Sequence, residues 1–128
     1  MKNLFEQFNC GRLVTPEVKK AFEDLEWCKH PTFEGVELKH IVTAADTNGK
    51  FSYHLVSIAP NKKIGSHIHE SQLETHEVIT GSGVCINEGK ELLYRCGVIS
   101  IMKPGMPHEV IAGEEGLCLF AKFIPALC

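Results

Sequence analysis

From residue 36 onward, short apolar segments alternate with turns rich in Gly, Pro and Asn. The segments VELKHIVT and KFSYHLVSI flank Asn48-Gly49, a dipeptide typical of tight turns. Further breaks stand at APNKKIG, NEGKE, KPGMP and GEEG, and a bend is expected at Gly81–Gly83. This spacing predicts about nine short strands with no long helix between them. Such a chain folds as an all-β sandwich or barrel.

The first 35 residues are expected to form a helical extension before a barrel of residues 36–128, within one domain. Thr15 is a candidate helix N-cap, and Pro16 suits the first helical position. The segment LVTPEVKKAFEDLEW also carries apolar residues at helical spacing, namely Val18, Phe22 and Leu25. The sequence therefore predicts a helix here that packs on an open face or edge of the sheet.

Length and charge argue against several function classes. The 128 residues suffice for one domain with its own core, and the net charge of −3 comes without clusters of Lys or Arg. This balance argues against nucleic acid or an anionic membrane as a partner. No apolar run has the length of a membrane helix and no signal-peptide pattern is present, so we expect a cytoplasmic protein. The six cysteines form no CxxC pair, and we expect reduced thiols.

The stretch IGSHIHESQLETHEVITGSG concentrates side chains that bind metals or protons. Side chains on a strand alternate between its faces, so His67 and His69 are expected on one side, and Glu74 and His76 likewise. His108 opens a later strand, and an antiparallel barrel can bring these places together. Imidazole and carboxylate groups suit a divalent first-row ion: manganese, iron, cobalt, nickel, copper or zinc. Four protein ligands leave open positions on a six-coordinate ion, as catalysis requires.

The stretch NKKIGSHIHESQLETHEVITG resembles the first motif of the cupin superfamily, G-x5-H-x-H-x3-4-E-x6-G. GVISIMKPGMPH is similar to the second motif, G-x5-P-x-G-x2-H-x3-N, and the two motifs occur in the family's order. The resemblance covers about residues 36–124. It implies a double-stranded β-helix, the jelly-roll barrel, with a metal ion inside. The ligands that it implies are His67, His69, Glu74 and His108.

Three positions depart from these motifs, and none of them is a ligand position. Asn61 replaces the opening Gly of the first motif, and Asn tolerates a positive φ better than most other residues. Lys103 replaces a Pro, but Pro104 follows it and keeps the corner stiff. Ala112 replaces the closing Asn of the second motif. We therefore expect the turns of both motifs to be retained.

The other ionisable residues of the histidine-rich stretch divide into two groups. Glu70 and Glu77 fit neither motif spacing, which excludes them from the implied ligand set. His76 faces the predicted cavity, and three roles are open to it. It can replace Glu74 as a ligand, line the cavity as an acid or base that moves protons, or serve the structure alone.

The remaining histidines and the neighbouring apolar residues bear on the cavity. His54 lies on a strand whose inward face the pattern does not identify, and His30 and His40 are expected at surface or packing positions. An apolar cavity wall favours a small organic molecule over a large polar polymer. The residues expected to form this wall are Ile68, Val78, Ile99, Ile101 and Met106.

Three readings of function follow from the sequence and the resemblance. The first is a metal-dependent enzyme acting on a small organic metabolite, since isomerases, lyases and dioxygenases all occur in the superfamily. The second is a non-catalytic module that binds or senses a small ligand. The third is a metal-free barrel whose histidines form hydrogen bonds. We also expect a homodimer, because the exposed faces and edges of a small jelly roll tend to pair with a second copy.

Overall fold

Two long strands, β7 (Leu73–Asn87) and β10 (His108–Ile124), run side by side through the sheet. The computed structural model describes residues 1–128. The first part of β10 also pairs with β6 (Lys63–His67), and its second part pairs with β5 (Ser52–Ile58). Because β10 changes partners along its length, the sheet closes over on itself as a barrel.

Shorter strands complete the sheet, and every pairing is antiparallel. These strands are β3 (Cys28–Lys29), β4 (Val36–Val42), β8 (Lys90–Arg95) and β9 (Ile99–Met102). The order in the sheet is β3-β4-β5-β10-β7-β8, with β6 on β10 and β9 on β7. This arrangement confirms the predicted all-β jelly-roll class.

The region from residue 36 contains seven strands, fewer than the nine predicted. The bend expected at Gly81–Gly83 lies within β7, and the break expected at GEEG is likewise a bend within β10, so neither position separates two strands. Gly81 has a φ of +80°, and a Cβ there would lie 2.1 Å from the Gly116 carbonyl oxygen. The two glycines thus allow the paired strands to bend together without separating.

The helix predicted over residues 15–27 is absent, and this prediction was wrong. Thr15–Val18 is a turn between β1 (Arg12–Val14) and β2 (Lys19–Ala21). The Thr15 hydroxyl accepts the backbone N–H groups of Glu17 and Val18 at 3.2 and 2.9 Å. A Thr-Pro pair suits the first two positions of a β-turn as well as a helix start, and here the turn is formed. Phe22–Asp24 then forms a single 3-10 turn.

The helical content lies at other positions. Helix α1 (Leu4–Asn9) begins with a capping box between Asn3 and Glu6, a signal that the sequence carries and that went unrecognised. A second short helix, α2 (Ala44–Thr47), fills the loop before β5 and ends at Asn48 in the left-handed conformation. Neither helix has the length and apolar character needed to cross a membrane.

Two apolar clusters stabilise the fold on opposite faces of the sheet. Phe5 of α1 and Phe22 pack against Ile41, Leu55 and Phe120, so the N-terminal segment covers the outer face of β4, β5 and β10. This covering role is the one predicted for the segment, although a hairpin and turns fill it instead of a helix. The second cluster fills the barrel interior; its largest buried members include Val56, Ile58, Val78, Tyr94, Leu117 and Leu119.

Candidate metal centre

Two strand ends bring together histidines that stand far apart in the sequence. His67 is the last residue of β6 and His108 is the first residue of β10. These two residues are register partners across the antiparallel pair, with ring centroids 4.2 Å apart. His69 follows in the loop after β6, its ring 4.9 Å from that of His67. Three imidazoles therefore converge at one end of the barrel interior.

Glu74 joins this group from the neighbouring strand. On β7 buried residues alternate with less buried ones, and Glu74, His76 and Val78 point inward. One ligand atom from each of the four predicted residues lies within 4.8 Å of the other three. The structure thus gathers His67, His69, Glu74 and His108 as the sequence motifs imply. Larger depressions on the outer surface contain none of the four residues.

Two atoms at the middle of the group are buried and have no hydrogen-bond partner. The carboxylate Oε1 of Glu74 lies 3.0 Å from Nε2 of His108, but the two are not aligned as a hydrogen bond. His69 Nε2 is 3.6 Å from the same oxygen. An unpartnered buried polar atom is costly unless an ion or water satisfies it. A cation bound among these atoms removes that cost.

The hydrogen bonds of two ring nitrogens indicate which nitrogens are free to bind an ion. His67 Nδ1 lies 2.8 Å from the Gly65 carbonyl oxygen, and His108 Nδ1 lies 3.3 Å from that of Met106. A carbonyl only accepts, so each Nδ1 carries the proton and donates. The Nε2 lone pairs are then left facing the centre. Histidines that ligate metals are usually oriented by this kind of second hydrogen bond.

The ionisation states also suit a cation. Burial acts to raise the pKa of Glu74, but the neighbouring His76 and His108 outweigh it and hold that pKa well below its usual range. Burial lowers the pKa of His67 and of His69, which favours their neutral forms. Metal binding requires deprotonated ligands. An anionic Glu74 beside neutral His67 and His69 therefore suits a divalent ion.

His76 lies beside the four residues and is engaged on both sides of its ring. Its Nε2 donates to Glu74 Oε2 at 2.7 Å, and its Nδ1 accepts from the Tyr94 hydroxyl at 2.8 Å. Burial raises the pKa of Tyr94 far above its ordinary value, so the hydroxyl keeps the proton that it donates. His76 therefore orients the carboxylate with one nitrogen and is itself oriented through the other. Tyr94 has no motif position, and the sequence analysis did not identify it.

Three of the four residues, His67, His69 and Glu74, border a small cavity of about 80 Å³. His76 and His30 also line it. The lining contains no Lys or Arg. Its apolar wall consists of Leu38, Val56, Ile64, Ala121, Phe123 and Leu127.

The predicted composition of this wall was wrong. Ile68, Ile99 and Ile101 point outward, with 47%, 69% and 57% of their surface exposed. Val78 is buried in the core, and neither it nor Met106 lines the cavity. The error has a geometric cause, because neighbours of a ligand along a strand point to the opposite face. The true wall comes from β4, β5, β6, β10 and the C-terminal segment, which long-range pairing brings to the site.

Other histidines have environments that the sequence did not identify. His54 is fully buried, and its Nδ1 lies 2.7 Å from that of the half-buried His40. Burial, followed by the neighbouring His40, lowers the pKa of His54 to about 4. His30, expected at a surface or packing position, reaches the cavity from the loop before β4. Its Nδ1 accepts the backbone N–H groups of Thr32 and Phe33, which fixes the ring.

The two glutamates that fit neither motif spacing lie outside the centre. Glu77 lies on β7 one residue beyond His76, and its carboxylate pairs with Lys122 Nζ at 2.8 Å. Glu70 is exposed in the loop that follows His69. Glu70 and Glu77 therefore lie apart from the four clustered residues, as the motif spacing predicted.

Comparison with known proteins gives one family match. The family model described as a cupin domain matches residues 54–121, more than half of the chain. Among curated proteins, an oxalate-binding protein of Thermotoga maritima is 24% identical over 76 residues. That match spans 59% of this chain and 63% of the relative, less than two thirds of its length.

Solved structures agree on the fold. A predicted oxalate decarboxylase from Thermotoga maritima superposes with a TM-score of 0.71 and 23% identity, covering 79% of this chain and 91% of that one. An RmlC-like cupin from Shewanella frigidimarina has a TM-score of 0.73 and 14% identity, with 91% and 96% covered. At these identities the likeness establishes the architecture and leaves the chemistry to the residues of the site.

Proposed function

The chain belongs to the cupin domain family, and on that premise we propose that it is a metal-dependent enzyme acting on a small organic carboxylate. The observation that carries the proposal is the pair of buried, unpartnered atoms, Glu74 Oε1 and His108 Nε2, 3.0 Å apart at the centre of four ligand groups. Three imidazoles and one carboxylate suit a divalent ion such as manganese, iron, cobalt, nickel, copper or zinc.

The residues of the centre have distinct parts in this proposal. His67, His69, Glu74 and His108 would hold the ion, which when bound polarises an oxygen of the substrate as a Lewis acid. The Gly65 and Met106 carbonyls orient two of the imidazoles through their Nδ1 protons. His76 and Tyr94 hold the Glu74 carboxylate in place through hydrogen bonds of 2.7 and 2.8 Å.

The cavity limits the substrate to a small anion. About 80 Å³ of space excludes polymers and large metabolites. Since no Lys or Arg lines the cavity, the ion is the permanent positive charge that an entering carboxylate meets. The apolar wall of Leu38, Val56 and Phe123 excludes water around that charge and strengthens the attraction. The likeness to an oxalate-binding protein and to a predicted oxalate decarboxylase supports a carboxylate of this size.

A second candidate function is a non-catalytic module that binds the same kind of ligand. The engagement of His76 favours it, because both ring nitrogens are occupied by Glu74 and Tyr94. An acid or base in the reaction must exchange a proton with the substrate, and His76 can do so only by giving up one of these bonds. His30, fixed through its Nδ1 at the cavity wall, is the alternative proton donor for the enzyme.

Calorimetry tests the proposal by measuring how oxalate and larger dicarboxylates bind to the metal-loaded protein and to the chelated protein. We expect oxalate to bind only the metal-loaded form, and longer dicarboxylates to bind less well. A121V narrows the cavity at a buried wall residue that is not one of the four ligands. It should weaken oxalate binding while the metal content stays unchanged. A45V, at an exposed position of α2, is the matched control.

Product analysis then separates the two candidate functions. Loss of the bound carboxylate with release of a product supports the enzyme. Binding without turnover, under both aerobic and anaerobic conditions, supports the module. Equal binding by the chelated protein would overturn both, because no Lys or Arg lines the cavity to hold a carboxylate without the ion.

We also propose that two copies of the chain associate and that the protein works in the cytoplasm. Support for the dimer comes from exposed apolar side chains on β8 and β9, where Leu93, Ile99 and Ile101 are 54%, 69% and 57% exposed. Light scattering should give about twice the chain mass of 14.2 kDa. A mass equal to one chain would contradict the dimer.

A further inference from the structure

A second group of metal-binding side chains lies at another place in the barrel. His40 on β4 and His54 on β5 are register partners, with Nδ1 atoms 2.7 Å apart. The Cys128 thiol joins them from the C-terminal segment, and one ligand atom of each lies within 4.8 Å of the other two. Three separate parts of the chain thus supply one sulfur and two nitrogens at one point.

The C-terminal segment is held in position by the backbone. Leu127 N–H donates to the Ser52 hydroxyl at 2.8 Å, and Ala126 N–H donates to the Gly49 carbonyl at 3.1 Å. The Cys128 carbonyl in turn accepts from Ala44 N–H at 2.7 Å. These bonds place the cysteine beside the two histidines independently of its thiol. Cys128 is an exposed residue, so an ion from solvent can reach this group.

The ring of His54 is oriented as a ligand usually is. Its Nε2 lies 2.7 Å from the Ser52 hydroxyl oxygen, which leaves Nδ1 to face His40 and Cys128. An oxygen partner on the far nitrogen fixes the tautomer and direction of metal-ligating histidines. His54 is completely buried, so this ring has little freedom to turn away.

We propose that His40, His54 and Cys128 form a second metal site, separate from the first and selective for a thiophilic ion, with Zn²⁺ as its main occupant. Thiolate and imidazole ligands together suit Zn²⁺ and copper, whereas the carboxylate of the first centre suits harder ions. Metal–ligand bonds of about 2.0–2.3 Å bring ligand atoms to within roughly 3.3–3.8 Å of one another. Rotation of the His40 and Cys128 side chains, neither of which is fully buried, brings the ligand atoms into that range. The two Nδ1 atoms then move apart from 2.7 Å, and the ion replaces their mutual hydrogen bond.

The site has a structural consequence for the first centre. Leu127, next to Cys128, forms part of the cavity wall. The Phe123 ring lies between the centres, 5.5 Å from the His54 ring and 4.9 Å from the His69 ring, both measured between centroids. An ion on His40, His54 and Cys128 therefore adds a further restraint on the C-terminal segment and on one wall of the substrate cavity.

Cobalt titration under reducing conditions tests the proposal, because Co²⁺ replaces Zn²⁺ and reports its ligands by absorption. Only a thiolate ligand produces an intense near-ultraviolet charge-transfer band, and the first centre contains no thiolate. We expect the wild-type protein to bind two Co²⁺ per chain and to develop this band with one of them. C128S should lose the band and one ion while keeping the other. C96S, at an exposed cysteine outside the cluster, should leave the band and the number of bound ions unchanged.

Two further variants separate this site from the first. H40Q, at a partly exposed ligand, should weaken the same band, and H67A/H69A should keep the band while losing the other ion. The absence of a thiolate band in the wild-type protein, or its persistence in C128S, would overturn the second site. Because Cys128 is exposed, folding of C128S is not at risk and the comparison remains informative even if another variant fails to fold.

Discussion

The His76 imidazole donates to the Glu74 carboxylate, with Nε2 and Oε2 2.7 Å apart, and this bond leaves the other carboxylate oxygen facing the three remaining ligand residues. The Tyr94 hydroxyl holds His76 from the opposite side at 2.8 Å. The chain Tyr94–His76–Glu74 is fully buried. It therefore sets the direction of the one anionic ligand in the centre.

Replacing His76 should weaken metal binding although His76 is not itself in the ligand set. H76L keeps the volume of the ring approximately but removes the bond to Glu74, so we expect affinity to fall by about 10–100-fold. Isothermal titration with Mn²⁺ or Co²⁺ measures the change. H30L is the matched control, because His30 lines the same cavity without touching Glu74. Equal losses in both variants would contradict the positioning role of His76.

Three glutamate variants test which carboxylate belongs to the centre. E74Q keeps the shape of the side chain but removes its negative charge, and the affinity for the ion should fall by more than the ~10–100-fold typical of an outer partner. E70Q and E77Q should bind metal as the wild type does. E77Q loses only the ion pair with Lys122, worth at most about 1 kcal/mol of unfolding free energy. Metal loss in E77Q but not in E74Q would reverse the assignment.

Stability in acid should depend on the Asp46–Lys20 pair, which links α2 to the N-terminal hairpin at 2.8 Å. The hydrogen bond from Lys20 lowers the pKa of Asp46. Burial acts to raise that pKa, and the hydrogen bonds from Thr43 lower it further. A carboxyl with a lowered folded-state pKa adds stability above its unfolded-state pKa, and that stability is lost as pH falls through the folded-state value.

D46N should therefore cost about 1 kcal/mol of unfolding free energy near neutral pH, with the gap to wild type closing below about pH 4. Urea unfolding of both proteins between neutral pH and pH values below about 4 measures the loss at neutral pH and its decline in acid. D24N, at an exposed aspartate outside any ion pair, should leave the stability at neutral pH unchanged. A gap that stays constant or widens in acid would show that the pair does not act through the charge of Asp46.

The sequence was most informative where function depends on local spacing. The motif positions predicted which residues meet at the centre, and Asn61 takes the positive φ of 62° expected of a residue that replaces Gly. The same reasoning placed Glu70 and Glu77 outside the group. These successes share a cause, because strand alternation and turn geometry are properties of a few consecutive residues.

The errors arise where distant segments decide the outcome. Thr15-Pro16 is compatible with a helix start and with a β-turn, and only the pairing of β1 with β2 selects the turn. Tyr94 and His30 reach the centre from segments with no motif, so no local pattern marks them. The cavity wall likewise comes from strands that the tertiary fold brings together. The bends at Gly81 and Gly116 resemble turns in the sequence because both need glycine.

The most direct test of the account is elemental analysis of protein purified without an affinity tag, comparing the wild type with H67A/H69A. His67 and His69 supply two of the three imidazoles, and both side chains are only partly buried. We predict that the wild type contains a transition metal at the first centre and that the double variant loses one ion per chain while keeping its circular dichroism spectrum. Metal content that is the same in both folded proteins would contradict the central claim.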